Sequence, residues 1–335
     1  MSRTKSSQIL TFLTLMAFCL QGAFSPVFAY SYEGLEYFGS SQLTRQEIEK
    51  YLHLSQGASI KRIEKSVDRL QKKIDDLKLF ANIEIVTASD DRAYVSVDLI
   101  EQEDDMIPTR KLTNPHHVAT RSEKPEILLA KLEDRLNQLN MEGRAWKPIY
   151  KGGMKFYTDE PANQIVEEIR RFAPTMKPDW IEVVACDPDP DRRVMAIELL
   201  GWSGSYADTC YKLIGAMDDS NYKVRAKAAR FIYKRLDILP HDFPYQDLIH
   251  ALCRQVRRPS HEDRVKSTYL MYEVLNKRPL LTGLAKQGAE KYINLYSSKS
   301  RIPSLRNVCE RLRAKFSQPL PSKRTKLSKP RSSGF

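Results

Sequence analysis

The stretch LKLFANIEIVTASDDRAYVSVDLIEQ, residues 77–102, changes its hydrophobic period halfway through. Up to Phe80 the apolar residues keep helical spacing. From Ala81 they alternate: Ile83 and Ile85 first, then Val95, Val97 and Leu99, separated by polar or small residues. Alternation with period two predicts strands over Ala81–Val86 and Ala93–Leu99, joined as a hairpin by the polar turn Thr87–Arg92.

Working outward, YEGLEYFG (residues 32–39) predicts a short first strand ending at Gly39. Thr44-Arg45-Gln46-Glu47 has the form of a capping box, with Leu43 placed to staple onto Ile48. The helix so started runs through Tyr51 and Leu52, and Gly57 marks its break. Ser59 is placed to cap a longer helix whose Ile60, Ile63, Val67, Leu70, Ile74 and Leu77 step by three and four residues, a stripe that buries one face. The predicted order over residues 30–105 is strand, helix, helix, strand, strand.

That order resembles the POTRA domain, the polypeptide-transport-associated module of cell-envelope proteins. The matching features are the apolar strand before Gly39, the break from Leu54 to Gly57, the Leu79-Phe80 end of the second helix and the paired strands finishing near Glu101. The chain departs from the family at Lys78, where glycine is usual, and at Ser40, where asparagine is frequent. The resemblance implies a small sheet covered by helices on one face, with an outer strand around Ile83, Glu84 and Ile85. An extended segment of a partner protein can pair with such an edge by β-augmentation. The bland alternative is a small domain that only caps the rest of the chain.

The compartment is read from the first residues. Arg3 and Lys5 precede the apolar run ILTFLTLMAFCL, and Pro26-Val27-Phe28-Ala29 follows with a small residue at the expected cut. This is the layout of a secretory signal peptide cleaved after Ala29. The alternative is an uncleaved anchor, since Ile9–Ala29 is long enough to cross a hydrocarbon core of about 30 Å. Both predict export to the periplasm or cell envelope. The chain of 335 residues carries a net charge of +12, and export makes nucleic acid a poor partner for that charge. Cys186, Cys210, Cys253 and Cys309 are too widely spaced for a disulfide framework and read as buried thiols.

Residues 106–124, MIPTRKLTNPHHVATRSEK, lack an apolar period and read as a linker, with His116-His117 a solvated pair. Pro125 opens a helix through Leu128, Leu132, Leu136 and Leu139. PIYKGGMKFY (148–157) predicts a small hairpin around Gly152-Gly153, so residues 125–160 hold a helix and that hairpin. Beyond them the sequence repeats itself. DPDPDRRVMAIELLG from Asp187 and DSNYKVRAKAARFI from Asp219 both place Asp six residues before Arg and Ala three residues after it: Asp187, Arg193 and Ala196, then Asp219, Arg225 and Ala228. A weaker third copy has Arg264, Ser267 and Met271. The spacing suits a helical-pair repeat and resembles the HEAT-type α-solenoid over residues 161–316. The resemblance implies that Asp caps the turn, Arg supports packing between repeats and Ala lets helices approach. The expected fold class is therefore an α+β POTRA-like domain followed by an all-α HEAT-like solenoid.

Asp187, Asp189, Asp191 and Glu198 also fall at ligand positions of an EF-hand loop, which makes a calcium-binding structural protein one alternative. Arg192 stands where glycine must turn, and Pro188 and Pro190 stiffen the loop. Gly201-Trp202-Ser203-Gly204-Ser205 approaches a nucleophile elbow but lacks its closing glycine. No phosphate-binding glycine loop or HExxH motif is present. The sequence thus predicts neither an enzyme nor a cofactor, although HEAT-like repeats also resemble those of the bilin lyases, so a ligand-binding or lyase-like protein is the second alternative. Residues 317–335 carry Lys323, Arg324, Lys326, Lys329 and Arg331 with no acidic residue, a cationic tail suited to anionic lipid or an acidic envelope polymer. The leading expectation is a noncatalytic envelope adaptor that binds protein partners and is linked to polypeptide transport or outer-membrane barrel assembly.

Overall fold

Alternation becomes a sheet where the sequence changes period. The computed structural model describes residues 30–39, 43–88, 91–100, 107–144 and 146–318. The predicted signal segment and the five cationic tail residues lie outside them. Strand β1 (Ser31–Phe38), helices α1 (Arg45–Leu52) and α2 (Ile60–Asp76), and strands β2 (Ala81–Thr87) and β3 (Arg92–Leu99) follow in the expected order. The strands lie in the order β1-β3-β2, with β1 parallel to β3 and β2 antiparallel to it. Gly39 ends β1 at φ +96°, where an added Cβ would lie 2.9 Å from the Leu99 carbonyl oxygen, so a side chain cannot replace it without displacing β3.

One face of this sheet packs on α1 and α2. Leu35, Val95, Val97 and Leu99 meet Ile48, Leu52, Ile63, Leu70 and Ile74 in one apolar core. Thr44 and Glu47 form the expected reciprocal capping box, and Leu43 and Ile48 are both buried in that core. Ser59 sits at the N-cap of α2 but makes no side-chain cap bond; its backbone bridges to Ser31 at the start of β1 instead. At the other end of α2 the Leu79 N–H bonds the Ile74 carbonyl and the Lys78 N–H bonds that of Asp75. This is the Schellman pairing, and it requires a left-handed residue at Lys78, whose φ is +56°.

The rest of the described chain is helical apart from one hairpin. Helix α3 (Lys124–Met141) and the hairpin of β4 (Pro148–Lys151) and β5 (Met154–Tyr157) lead into α4 (Glu160–Cys186) and α5 (Pro190–Leu200). Then come α6 (Tyr206–Ala216), α7 (Tyr222–Tyr233), α8 (Tyr245–Gln255), α9 (His261–Lys277), α10 (Thr282–Lys299) and α11 (Pro303–Phe316). Helices α5, α7, α9 and α11 pack in succession as one layer, and α4, α6, α8 and α10 as another. Their apolar faces close a second core, separate from that under the sheet.

Lys78 holds a conformation that costs a side-chain-bearing residue about 1–2 kcal/mol. Lys78→Gly is expected to stabilise the sheet domain by about 1 kcal/mol, read as a higher urea midpoint at unchanged slope. A lower midpoint would contradict the left-handed cap.

Candidate functional site

Hydrogen bonding fixes which side of β2 is free. The Ile100 N–H bonds the Phe80 carbonyl and the Ala88 N–H bonds the Arg92 carbonyl. In the antiparallel register of β2 on β3, these two bonds make the even-numbered residues of β2 the ones that exchange backbone bonds with β3. The N–H and C=O groups of Ala81, Ile83, Ile85 and Thr87 therefore point away from the sheet. Among the described residues, no backbone or side-chain hydrogen bond reaches the outward groups of Ile83 or Ile85.

The opposite edge is occupied. On β1, Tyr32 exchanges bonds with Gly57 and Ala58, and Arg45 Nη2 donates to the Leu35 carbonyl at 3.0 Å. At the lower end of β2, Phe80 is 74% exposed, with Leu77 and Ile100 also exposed beside it. Of the three residues singled out from the sequence, Ile83 and Ile85 turn their half-buried side chains to the core under α2. Glu84 turns to the other face.

That second face is polar and docks on the helices. The register aligns Glu84, Ser96 and Glu36 across the three strands, and beside them Asn82, Asp98 and Phe38. Arg264 of α9, 1% exposed, donates to both oxygens of Asp98 at 2.5 and 2.9 Å, approaches the Ser96 hydroxyl at 3.4 Å, and lies 3.7 Å from Glu36. Its guanidinium covers the Phe38 ring at 4.6 Å, and Phe38 meets Tyr296 edge-on at 5.1 Å. Glu36 also accepts from the Ser300 hydroxyl and faces His261 Nδ1 at 3.3 Å. Glu84 sits at the start of α9, where Oε1 accepts from the His261 N–H at 3.1 Å and the Ser260 hydroxyl at 3.2 Å. A helix N-terminus favours such a carboxylate. At Gly34 on β1, an added Cβ would stand 3.3 Å from Arg301 Nη1.

Electrostatics in the junction follow from burial and pairing. Burial works to raise the Glu36 carboxyl, but His261, Arg264 and the Ser300 hydroxyl outweigh it and hold Glu36 below its ordinary value. Burial raises Glu84, with Asp98 and Glu262 adding to it against His261 and Arg264. Asp98 is also pushed up by burial, against the opposing pull of Arg264.

The repeat residues form a ladder along the helical stack. Asp187 and Asp219 each accept the N–H two residues on, at 2.9 Å. Arg193 donates to the Asp187 carbonyl and to the Asp219 carboxylate, at 2.8 and 2.7 Å. Arg225 repeats this with the Asp219 carbonyl at 2.7 Å and Asp263 at 3.0 Å. Ala196 and Ala228 are fully buried. In the third copy Arg264 leaves the ladder and reaches the sheet. Residues 107–122 run beside the same turns: Pro108 accepts from Arg258, Arg110 meets Asp218 and Asp219, Val118 meets Asp187, and Arg121 pairs with Asp179 at 2.7 Å.

The loop carboxylates considered for calcium do not converge. Residues 190–200 are helix, Asp189 caps it, and Glu198 is held by Lys155 and Lys227. Among the described residues no group of three or more His, Cys, Asp or Glu side chains is placed to hold a metal ion. His117 is largely exposed beside Arg192, and Cys186, Cys210, Cys253 and Cys309 are buried free thiols. No described helix is long and apolar enough to cross a membrane. Searches against protein-family models and against curated proteins match none.

Sequence reasoning missed Glu36, Ser96, Asp98 and His261, and it valued Arg264 only as a decayed repeat position. The one available signal was a strand, β3, with Ser96 and Asp98 on the face opposite Val95 and Val97, which alternation reads as solvated.

Removing Arg264 strands two buried carboxylates. Arg264→Ala is expected to destabilise the chain by about 3–5 kcal/mol. The double variant Arg264→Met, Asp98→Asn is expected to recover much of that loss. Chemical denaturation checks both, and a loss below about 1 kcal/mol for Arg264→Ala would mean the junction does not hold.

Proposed function

We propose that this chain is a noncatalytic scaffold of the cell envelope that captures an extended segment of a partner protein along the outer side of β2. The N-terminal sheet and helices act as a POTRA-like module, and the stacked helical pairs act as a HEAT-like solenoid that offers a second, longer surface. What carries the proposal is the contrast between the two sheet edges: β1 is bonded by Gly57, Ala58 and Arg45, whereas no described residue hydrogen-bonds the outward groups of Ile83 and Ile85. An edge left open offers main-chain hydrogen bonds to an incoming strand. Export, inferred from residues 1–29, puts the partner in the envelope, and the POTRA resemblance supplies the association with polypeptide transport or barrel assembly. The cationic tail adds attraction to an anionic lipid surface or polymer.

The edge can be closed by one residue. Because the Ile83 N–H points away from β3, Ile83→Pro removes an outward donor and leaves the bonds to β3 in place. A photoreactive residue at Phe80, beside the edge, is expected to capture an envelope protein from cells. Capture should survive Ile83→Val and fall at least about tenfold with Ile83→Pro. Equal capture by the proline variant, or none by the parent chain, would overturn the proposal.

A further inference from the structure

Glu84 is the only charged residue of the edge strand, and its two oxygens are used unequally. Oε1 accepts from Asn82 Nδ2 at 2.6 Å, from the Ser260 hydroxyl at 3.2 Å and from the His261 N–H at 3.1 Å. Oε2 accepts a hydrogen bond from no described residue, and Glu84 as a whole is half-buried. Its charged surroundings are Asp98 and Glu262 on one side of the balance and Arg264 and His261 on the other. Arg264 is already committed to Asp98 and Glu36, and Lys266 lies 3.6 Å from Glu262. The edge therefore borders a junction with more carboxylates than permanent cations.

Strand geometry says what would meet that surplus. A strand added antiparallel to β2 would exchange backbone bonds with Ile83 and Ile85. Its residue opposite Glu84 would then fall in a non-hydrogen-bonded pair, where facing side chains approach most closely. Taking β2 as a docking edge, as above, we propose that it selects an extended segment bearing Lys or Arg opposite Glu84. That cation pairs with the open Oε2, and apolar residues on either side of it pack along the face of Ile83 and Ile85. Glu84 is thus the residue that sets the preference, while the backbone of Ile83 and Ile85 supplies the sequence-independent part.

A displayed library of random heptapeptides, selected on the full chain, tests this. Binders should show alternating apolar residues around an enriched Lys or Arg. A representative peptide should bind roughly fivefold more tightly than its Lys→Gln analogue. Glu84→Gln should abolish that ratio while leaving the analogue's affinity unchanged. Glu262→Gln, which touches none of the Glu84 contacts, should narrow the ratio; thermal melting of both variants checks that the junction stays folded. Binders lost on Ile83→Pro but without basic enrichment would overturn the charge preference and leave the docking edge standing. No binder sensitive to Ile83→Pro would overturn both.

Discussion

A buried arginine constrains where the sheet can sit. Arg264 is 1% exposed, and a guanidinium removed from water is tolerated only with carboxylates and hydrogen-bond acceptors around it. Asp98, Glu36 and Ser96 supply these from the face of the sheet opposite its own helices. Ser300 and His261 then satisfy Glu36, and the start of α9 receives Glu84. The result is a junction specified by polar complementarity between two separate apolar cores. Greasy faces would slide past one another. A planar fork matched to one carboxylate has a single seat, and in that seat no described residue hydrogen-bonds the outward backbone of Ile83 and Ile85.

The same chemistry runs down the helical stack. Arg193 and Arg225 each close their own turn and reach the carboxylate of the next pair. Asp263 belongs to this ladder, and its neighbour Arg264 faces the sheet, so adjacent residues of α9 serve the two halves of the molecule. Residues 107–122 add a third path between them, anchored at Pro108, Arg110, Val118 and Arg121 beside successive turns. Residues 107–122 are therefore bonded at intervals to the helices, although they contain no helix or strand.

Local features were legible in the sequence. The period change after Phe80, the Thr44–Glu47 box, the Gly152-Gly153 turn and the Asp–Arg spacing each depend on residues within a turn or two. The junction was not legible, because Arg264 and Asp98 stand 166 residues apart, and nothing in either neighbourhood announces the other. Alternation even misled: Ser96 and Asp98 have the pattern of a wet face, yet both are buried because Arg264 covers them. Ser59 had the sequence of a cap, but its backbone is drawn to Ser31 and its hydroxyl makes no cap bond. For the candidate edge, Ile83 and Ile85 were found from the pattern, while the turning of Glu84 toward α9 required the partner surface to be seen.

The most direct measurement is the hydrogen exchange of one amide, the His261 N–H in the intact chain. It lies at the first position of α9, where helix N–H groups lack intrahelical partners and ordinarily exchange fast. Here it donates to Glu84 across the junction. If the sheet is seated through Arg264, this amide is protected by several kcal/mol, comparably to the interior of α9. Exchange at the rate of an open helix end would mean the sheet is not docked, and the account of both the junction and the exposed edge would fail with it.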